Sequence, residues 1–145
     1  MSGMSEINET INYCRLQDRL ETYKKWPFKD SKACSAPKMA AAGFFQPNPM
    51  EEHDLAKCFV CKKELDGWEE NDDPMKEHER HQNSCEFVLL GKEEKDITTE
   101  ELMRLLEASA FRTVEKLHQK NLEKLDDQHE EYIKQLEKQW KKSKN

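Results

Sequence analysis

Three cysteines and one histidine in the pattern C-x2-C-x16-H-x6-C constrain this chain more than anything else in it: Cys58, Cys61, His78 and Cys85. Zinc takes thiolate and imidazole ligands at four tetrahedral corners, and a C-x2-C knuckle offers two of them from one tight turn. His78 and Cys85, seven apart, are expected on one face of a single helix. Four protein ligands leave no coordination position for water, so one structural zinc is expected and a catalytic one is not. The metal also answers a stability problem. A core of fewer than roughly 80 residues supplies only about 3–5 kcal/mol, whereas a structural zinc contributes on the order of 10–16 kcal/mol.

The breakers divide the chain. Gly3, Gly43, Gly67 and Gly91, and Pro27, Pro37, Pro47, Pro49 and Pro74, are all its glycines and prolines, and none lies beyond residue 91. The remainder of the chain is Glu-, Lys-, Leu- and Gln-rich with no breaker and reads as one helix. The expected layout is a flexible segment over 1–14, a zinc domain over 15–90, a linker over 91–97, a long helix over 98–142 and a tail over 143–145. Within the domain, Arg15–Lys25 and Ala36–Ala42 read as short helices, the second with Gly43 at its C-cap position. Ala56–Val60 and Glu64–Trp68 suit antiparallel strands flanking the knuckle. Asp73-Pro74 is a helix start, with Asp73 as N-cap and Pro74 at the first helical position.

In the long helix, capped by Thr98 or Thr99, Leu102, Leu106, Ala110, Val114, Leu117, Leu125, Tyr132, Leu136 and Trp140 recur at three- and four-residue spacings. This apolar stripe is broken by Asn121 and by Gln128 or His129, and it is too long for the zinc domain to cover, so partner helices are expected along it.

Residues 1–97 hold 14 Lys and Arg against 20 Asp and Glu, and residues 98–145 hold ten of each. An acidic domain repels phosphate backbones, which disfavours general DNA binding and suits basic partners. No secretion signal or membrane span is legible, and five cysteines without a signal point to metal rather than disulfides, in an intracellular, reducing setting.

The run Arg19…Trp26-Pro27-Phe28, Met39-Ala40-x-Ala42-Gly43-Phe44, Cys58-Phe59-x-Cys61, Leu65, Gly67-Trp68-Glu69, Asp72-Asp73-Pro74, His78 and Cys85-x-Phe87 resembles a baculoviral IAP repeat of the inhibitor-of-apoptosis family, over about residues 15–90. The resemblance implies an α+β fold, with a three-stranded antiparallel sheet and short helices around the zinc. One repeat followed by one long helix is similar to the single-repeat members of that family. For such members it implies an adaptor role in the chromosomal passenger complex. There the helix bundles with borealin-type and INCENP-type helices, and the repeat reads a core-histone tail beginning Ala-Arg-phosphothreonine. Aurora B kinase is thereby placed on centromeres, which implies nucleus and chromosome in mitosis and cytoplasm otherwise. The chain holds no second Cys/His cluster, so a RING is not expected. The proline-directed site of such proteins is lost where Ser35-Ala36-Pro37 follows Cys34. The apolar residue of their homodimer contact is replaced around Glu94, which leaves a homodimer open.

A peptide amino terminus is an ammonium beside a small side chain, so its reader needs carboxylates near a shallow apolar pocket. Asp66 and Asp72 supply the charge, Leu65 and Trp68 the walls. A phosphothreonine two residues on needs cations, and Lys63 and His81 are the available pair. Glu52, in the acidic loop Glu51-Glu52-His53-Asp54, is the candidate for the peptide's arginine. Plainer roles stand beside these: Asp72 as support for the helix start, His81 as a solvated helix residue, Lys63 as a strand-face lysine. Trp26, Phe28 and Phe44 read as core and Arg19 as a structural cation.

Three function classes compete. An adaptor uses the groove for a modified tail and the helix for partners. A direct apoptosis inhibitor would use the same groove for N-terminal Ala peptides of caspases or their antagonists, without needing the long stripe. An enzyme is disfavoured by the closed metal site and the want of a nucleophile–base pair.

Overall fold

The computed structural model describes residues 2–143. Helices α1 (Ser2–Asn12), α2 (Leu16–Leu20) and α3 (Ala36–Ala41) precede a three-stranded antiparallel sheet of β1 (Phe44–Phe45), β2 (Ala56–Cys58) and β3 (Glu64–Leu65), in that spatial order. Phe44 pairs with Cys58 and Ala56 with Leu65. Helices α4 (Pro74–His81) and α5 (Glu86–Leu90), a single 3-10 turn over Glu94–Asp96 and the long α6 (Thr99–Ser143) complete the chain. The α+β fold with its small sheet, short helices and long terminal helix is the expected one. Residues 2–113 form one compact unit and residues 114–143 a second.

The strands are shorter than Ala56–Val60 and Glu64–Trp68 because the zinc knuckle takes over at Phe59. There Lys62 N–H bonds the Cys58 carbonyl at 3.2 Å and Lys62 turns left-handed, with φ of 62°. The α2 helix stops at Leu20, short of the expected Lys25. The Thr22 hydroxyl donates to the Arg19 carbonyl at 2.7 Å and accepts from Gln46 N–H at 2.9 Å, diverting the chain towards β1.

Two expectations are corrected. Ser2–Asn12 lies in the segment expected to be flexible and is helix α1. Its Glu9 carboxylate meets the buried Lys57 ammonium at 2.9 Å, and its Thr10 hydroxyl lies 2.6 Å from that of Ser109. Tyr13, just beyond it, stacks on Phe45 with centroids 4.1 Å apart. Met4, Ile7 and Ile11 recur at helical spacing, but the docking uses the polar Glu9 and Thr10, whose partners come from the sheet and α6. His78 and Cys85, in turn, do not share a helix. Seven residues of α-helix rise about 10.5 Å, too far for two ligands of one ion. The helix ends at His81, and Gln82 at φ −151° breaks it. A turn comes next in which Cys85 N–H bonds the Gln82 carbonyl at 3.1 Å, and Cys85 becomes the N-cap of α5.

Where the sequence carried true cap signals, the structure follows them. The Asp73 carboxylate accepts from the N–H groups of Met75 and Lys76 with Pro74 in the first turn, an arrangement worth about 1 kcal/mol. Thr98 and Glu101 form a reciprocal capping box, Glu101 N–H to Thr98 Oγ1 at 3.2 Å and Thr98 N–H to Glu101 Oε2 at 2.9 Å.

The core gathers Met39, Ala40, Phe44, Phe45, Phe59, Val60 and Phe87 around the knuckle, with Trp26 and Phe28 half-buried at its margin. Gly43, at φ 90°, is required there: a Cβ would stand 2.9 Å from the Phe87 ring. Arg19 is 1% exposed. It donates to the carbonyls of Ala40 (2.8 Å), Tyr13 (2.9 Å) and Cys14 (3.0 Å) and lies over the Phe59 ring, which is the structural cation expected.

The first turns of α6 belong to this unit through Leu105, Ser109 and Thr113. Ser109 Oγ donates to the Phe59 carbonyl at 2.9 Å, and Arg112 reaches Ser84 O and the Glu86 carboxylate. This seam is offset from the stripe read in the sequence. Leu102, Leu106 and Leu117 are half-buried and Val114 is exposed. In residues 114–143, taken alone, Leu125, Tyr132, Leu136 and Trp140 are exposed, and Leu122 and Ile133 lie beside them. At 100° per residue, Val114, Leu125 and Tyr132 share one line, while Leu122, Ile133 and Trp140 form a second about a quarter-turn away. Among the described residues, no helix is long and apolar enough to cross a membrane.

Candidate metal centre and peptide groove

The end of β2 presents Cys58, the knuckle after it Cys61, α4 presents His78, and the start of α5 presents Cys85. Their ligand atoms all lie within 4.8 Å of one another. Cys58 and Cys85 sulfurs are 3.9 Å apart, and Cys61 Sγ is 3.5 Å from His78 Nε2. Three of the four residues are fully buried, and Cys61 is partly so. His78 Nδ1 lies 2.8 Å from the Ala42 carbonyl. That bond fixes the ring as the Nδ1–H tautomer and aims the Nε2 lone pair into the cluster, the usual outer support of a zinc histidine.

Electrostatics argue for a cation at this point. Burial holds Cys58 as a thiol, well above the ordinary cysteine range. Hydrogen bonds from Cys58 and Cys61 hold Cys85 far below it. Burial disfavours charge on His78, yet its hydrogen bonds and attraction to Cys61 and Cys85 prevail and raise it to about 9. Protons are thus held within the cluster at Cys58 and His78, and a divalent ion would displace them while neutralising the thiolates. Soft donors, the tetrahedral count and the histidine support together fit one structural zinc, which cross-links β2, α4 and α5.

Beside this centre is a groove of about 470 Å³ lined by Lys63, Leu65, Asp66, Trp68, Asp72 and His81, with Glu64, Gly67, Glu69, Glu77 and Arg80. It therefore gathers six of the seven peptide-site residues read from the sequence. Glu52 is not among its walls and stands exposed on the loop between β1 and β2. Trp68 Nε1 donates to the Leu65 carbonyl at 3.1 Å, and its ring meets Phe44 edge-on at 5.5 Å. Phe44 in turn packs 4.5 Å from the His78 ring. The groove wall and the metal centre rest on one aromatic. Asp72 has a local duty, since one oxygen accepts from Glu69 N–H at 2.8 Å.

Sequence reasoning missed Glu77, Arg80 and Asp54. Glu77 precedes His81 by four residues and Arg80 by three on α4, so helical spacing around Glu77 was the available signal. Asp54 accepts from Gly67 N–H at 3.0 Å and braces the groove's turn; no local pattern foretells that bond across thirteen residues. Cys34 takes no part: burial pushes its thiol up to about 12.

The Inhibitor of Apoptosis domain model matches residues 19–89. Baculoviral IAP repeat-containing protein 5.2 of Xenopus tropicalis is 41% identical over 106 residues, 72% of this chain and 68% of that protein. Protein 5.2-A of Xenopus laevis is 43% identical over 91 residues, 63% and 58% of the two chains. Protein 5 of Mus musculus, a survivin, is 42% identical over 87 residues, 60% and 62%. The aligned part thus spans less than two thirds of the latter two relatives. Among solved structures, an autoinhibited dIAP1-BIR1 domain is 29% identical with a TM-score of 0.47, covering 66% of this chain and 87% of that one. DIAP1 BIR1 bound to a Grim peptide is 30% identical at 0.46, covering 65% and 92%. With its repeat, its survivin relatives and a zinc centre of the expected ligands, the chain belongs to the inhibitor-of-apoptosis family of baculoviral IAP repeat proteins.

Proposed function

We propose that this chain is a non-enzymatic adaptor of the survivin kind. Its groove takes the free amino terminus of a core-histone tail beginning Ala-Arg-phosphothreonine, and its helix carries borealin-type and INCENP-type partners. Aurora B kinase is thereby delivered to centromeres in mitosis. The observation that carries the reading is the division of charge in one groove. Asp66, Asp72, Glu64 and Glu69 supply carboxylates for an ammonium, and Lys63 and Arg80 supply cations and His81 an imidazole for a phosphate, around Leu65 and Trp68. Leu125, Tyr132, Leu136 and Trp140 on α6 supply the second half of the role, an uncovered apolar surface for partner helices.

The deciding experiment is a pulldown of the full chain from mitotic cells, with imaging of the tagged protein. Recovery of borealin- and INCENP-type partners and a centromeric signal support the adaptor. Recovery of caspases or their Ala-terminated antagonists instead would move the chain to the direct-inhibitor class.

A further inference from the structure

Arg80 lines the groove beside His81, and a carboxylate of its own helix holds it there. The Glu77 carboxylate is ion-paired with the Arg80 guanidinium and lies 3.6 Å from His81 Nε2. Arg80 Nη2 in turn lies 3.3 Å from that same His81 nitrogen. All three line the groove with Lys63. Glu77 is the recessed member at 23% side-chain exposure, whereas Arg80 is 68% exposed and His81 42%. A single carboxylate therefore stands between two cation-capable groups whose outer faces are open.

We propose that Arg80 is a phosphate-reading residue of this groove and that Glu77 is the internal anion it leaves when a phosphorylated peptide binds. The proposal rests on the reading of the groove as a site for amino-terminal phosphothreonine peptides. A guanidinium is a planar fork that matches two phosphate oxygens, a geometry that Lys63 as a point charge lacks. A phosphate dianion carries up to twice the charge of a carboxylate, so the exchange favours the ligand. Unphosphorylated threonine offers no replacement anion, and Arg80 then stays with Glu77. The Glu77–Arg80 pair tempers the gain from phosphate, because only the phosphorylated peptide must outcompete it, and it keeps Arg80 in place at the groove until then.

The test uses fluorescence anisotropy on the zinc-loaded full chain, with two synthetic peptides beginning with a free Ala amine, one carrying phosphothreonine at position three and one threonine. Arg80→Ala is expected to weaken the phosphorylated peptide about five- to tenfold, leave the other within twofold, and flatten the salt dependence of phosphopeptide binding. Arg80→Lys should recover part of the loss. Zinc content and thermal midpoint, measured on each variant, should match the parent because Arg80 is a surface side chain. Unchanged preference in Arg80→Ala would overturn the proposal while leaving the groove reading standing, and so would equal weakening of both peptides. If the parent chain binds neither peptide, the groove reading fails and the proposal with it.

Discussion

The buried guanidinium of Arg19 lies 3.3 Å from the carboxylate of Glu94, so a residue of the segment before α6 supplies the counter-charge for the core of the repeat. The same Glu94 oxygen accepts from Leu16 N–H. Burial lowers the Arg19 pKa from its ordinary value, and Glu94 acts against that. Glu94→Gln keeps an acceptor and removes the charge. Glu94 is 40% exposed, so solvent tempers the loss, which is expected at about 1–2 kcal/mol. Urea unfolding of the zinc-loaded protein would register it as a lower midpoint at unchanged slope. A midpoint equal to the parent's would show that the pair adds no stability.

One zinc per chain is expected, and its removal should unfold the repeat. Cys85→Ser should abolish cooperative unfolding, because α5 and α4 then lose their shared anchor. Atomic absorption on well-folded protein showing under about a tenth of an equivalent of zinc would refute the assignment of Cys58, Cys61, His78 and Cys85.

Zinc uptake should release protons. In the metal-free cluster Cys58 and His78 both hold their protons above the ordinary range, His78 to about 9, and ligation requires both to be lost. Protons therefore compete with zinc, and apparent affinity falls as pH falls through about 9, where His78 takes up its proton, and onward through neutrality, taking the metal-dependent stability with it. Calorimetry of zinc binding in buffers of different ionisation enthalpy near pH 7 should show net proton release, and a heat independent of buffer would contradict it.

Acetylating the amino terminus of an Ala-Arg-phosphothreonine peptide should remove most of its binding, since each charge-assisted hydrogen bond contributes about 1.5–3 kcal/mol. Asp72→Ala should weaken phosphorylated and plain peptides alike. It also frees Glu69 N–H, so its thermal midpoint must be read beside its affinity. His81→Ala and Lys63→Ala should instead erase the phosphate preference. Calorimetric binding that ignores acetylation would end the amine reading.

Leu117→Glu with Leu125→Glu is expected to leave zinc content and peptide affinity unchanged, because neither residue lies at the groove or the metal centre. It should release both helical partners. Asn121 and Gln128, the polar breaks in the stripe, fit a register-setting role of the kind seen in coiled coils. Co-purification of both partners at parental levels would defeat the adaptor model.

The four zinc ligands, the cap at Asp73, a hydroxyl cap at Thr98 or Thr99 and the continuous α6 were legible in the chain alone. Each depends on residue type at short spacing, and the physics that selects them is local: ligand chemistry, unsatisfied helix N–H groups, the absence of breakers. The groove's Lys63, Leu65, Asp66, Trp68, Asp72 and His81 were legible through a family pattern, whereas Glu77 and Arg80 carried only the weak signal of helical spacing around His81. The fold brings their stretch of α4 to the same wall as Leu65 and Trp68. The tertiary structure alone also decided that His78 and Cys85 sit on different helices, since a shared ion demands proximity that one helix cannot provide. It decided that α1 docks on Lys57 and Ser109, and that Glu94 turns inward to Arg19. These are pairings between residues 48 to 99 positions apart in the first case and 75 in the second, and their signal is a buried polar group that must be satisfied, which no window of sequence displays.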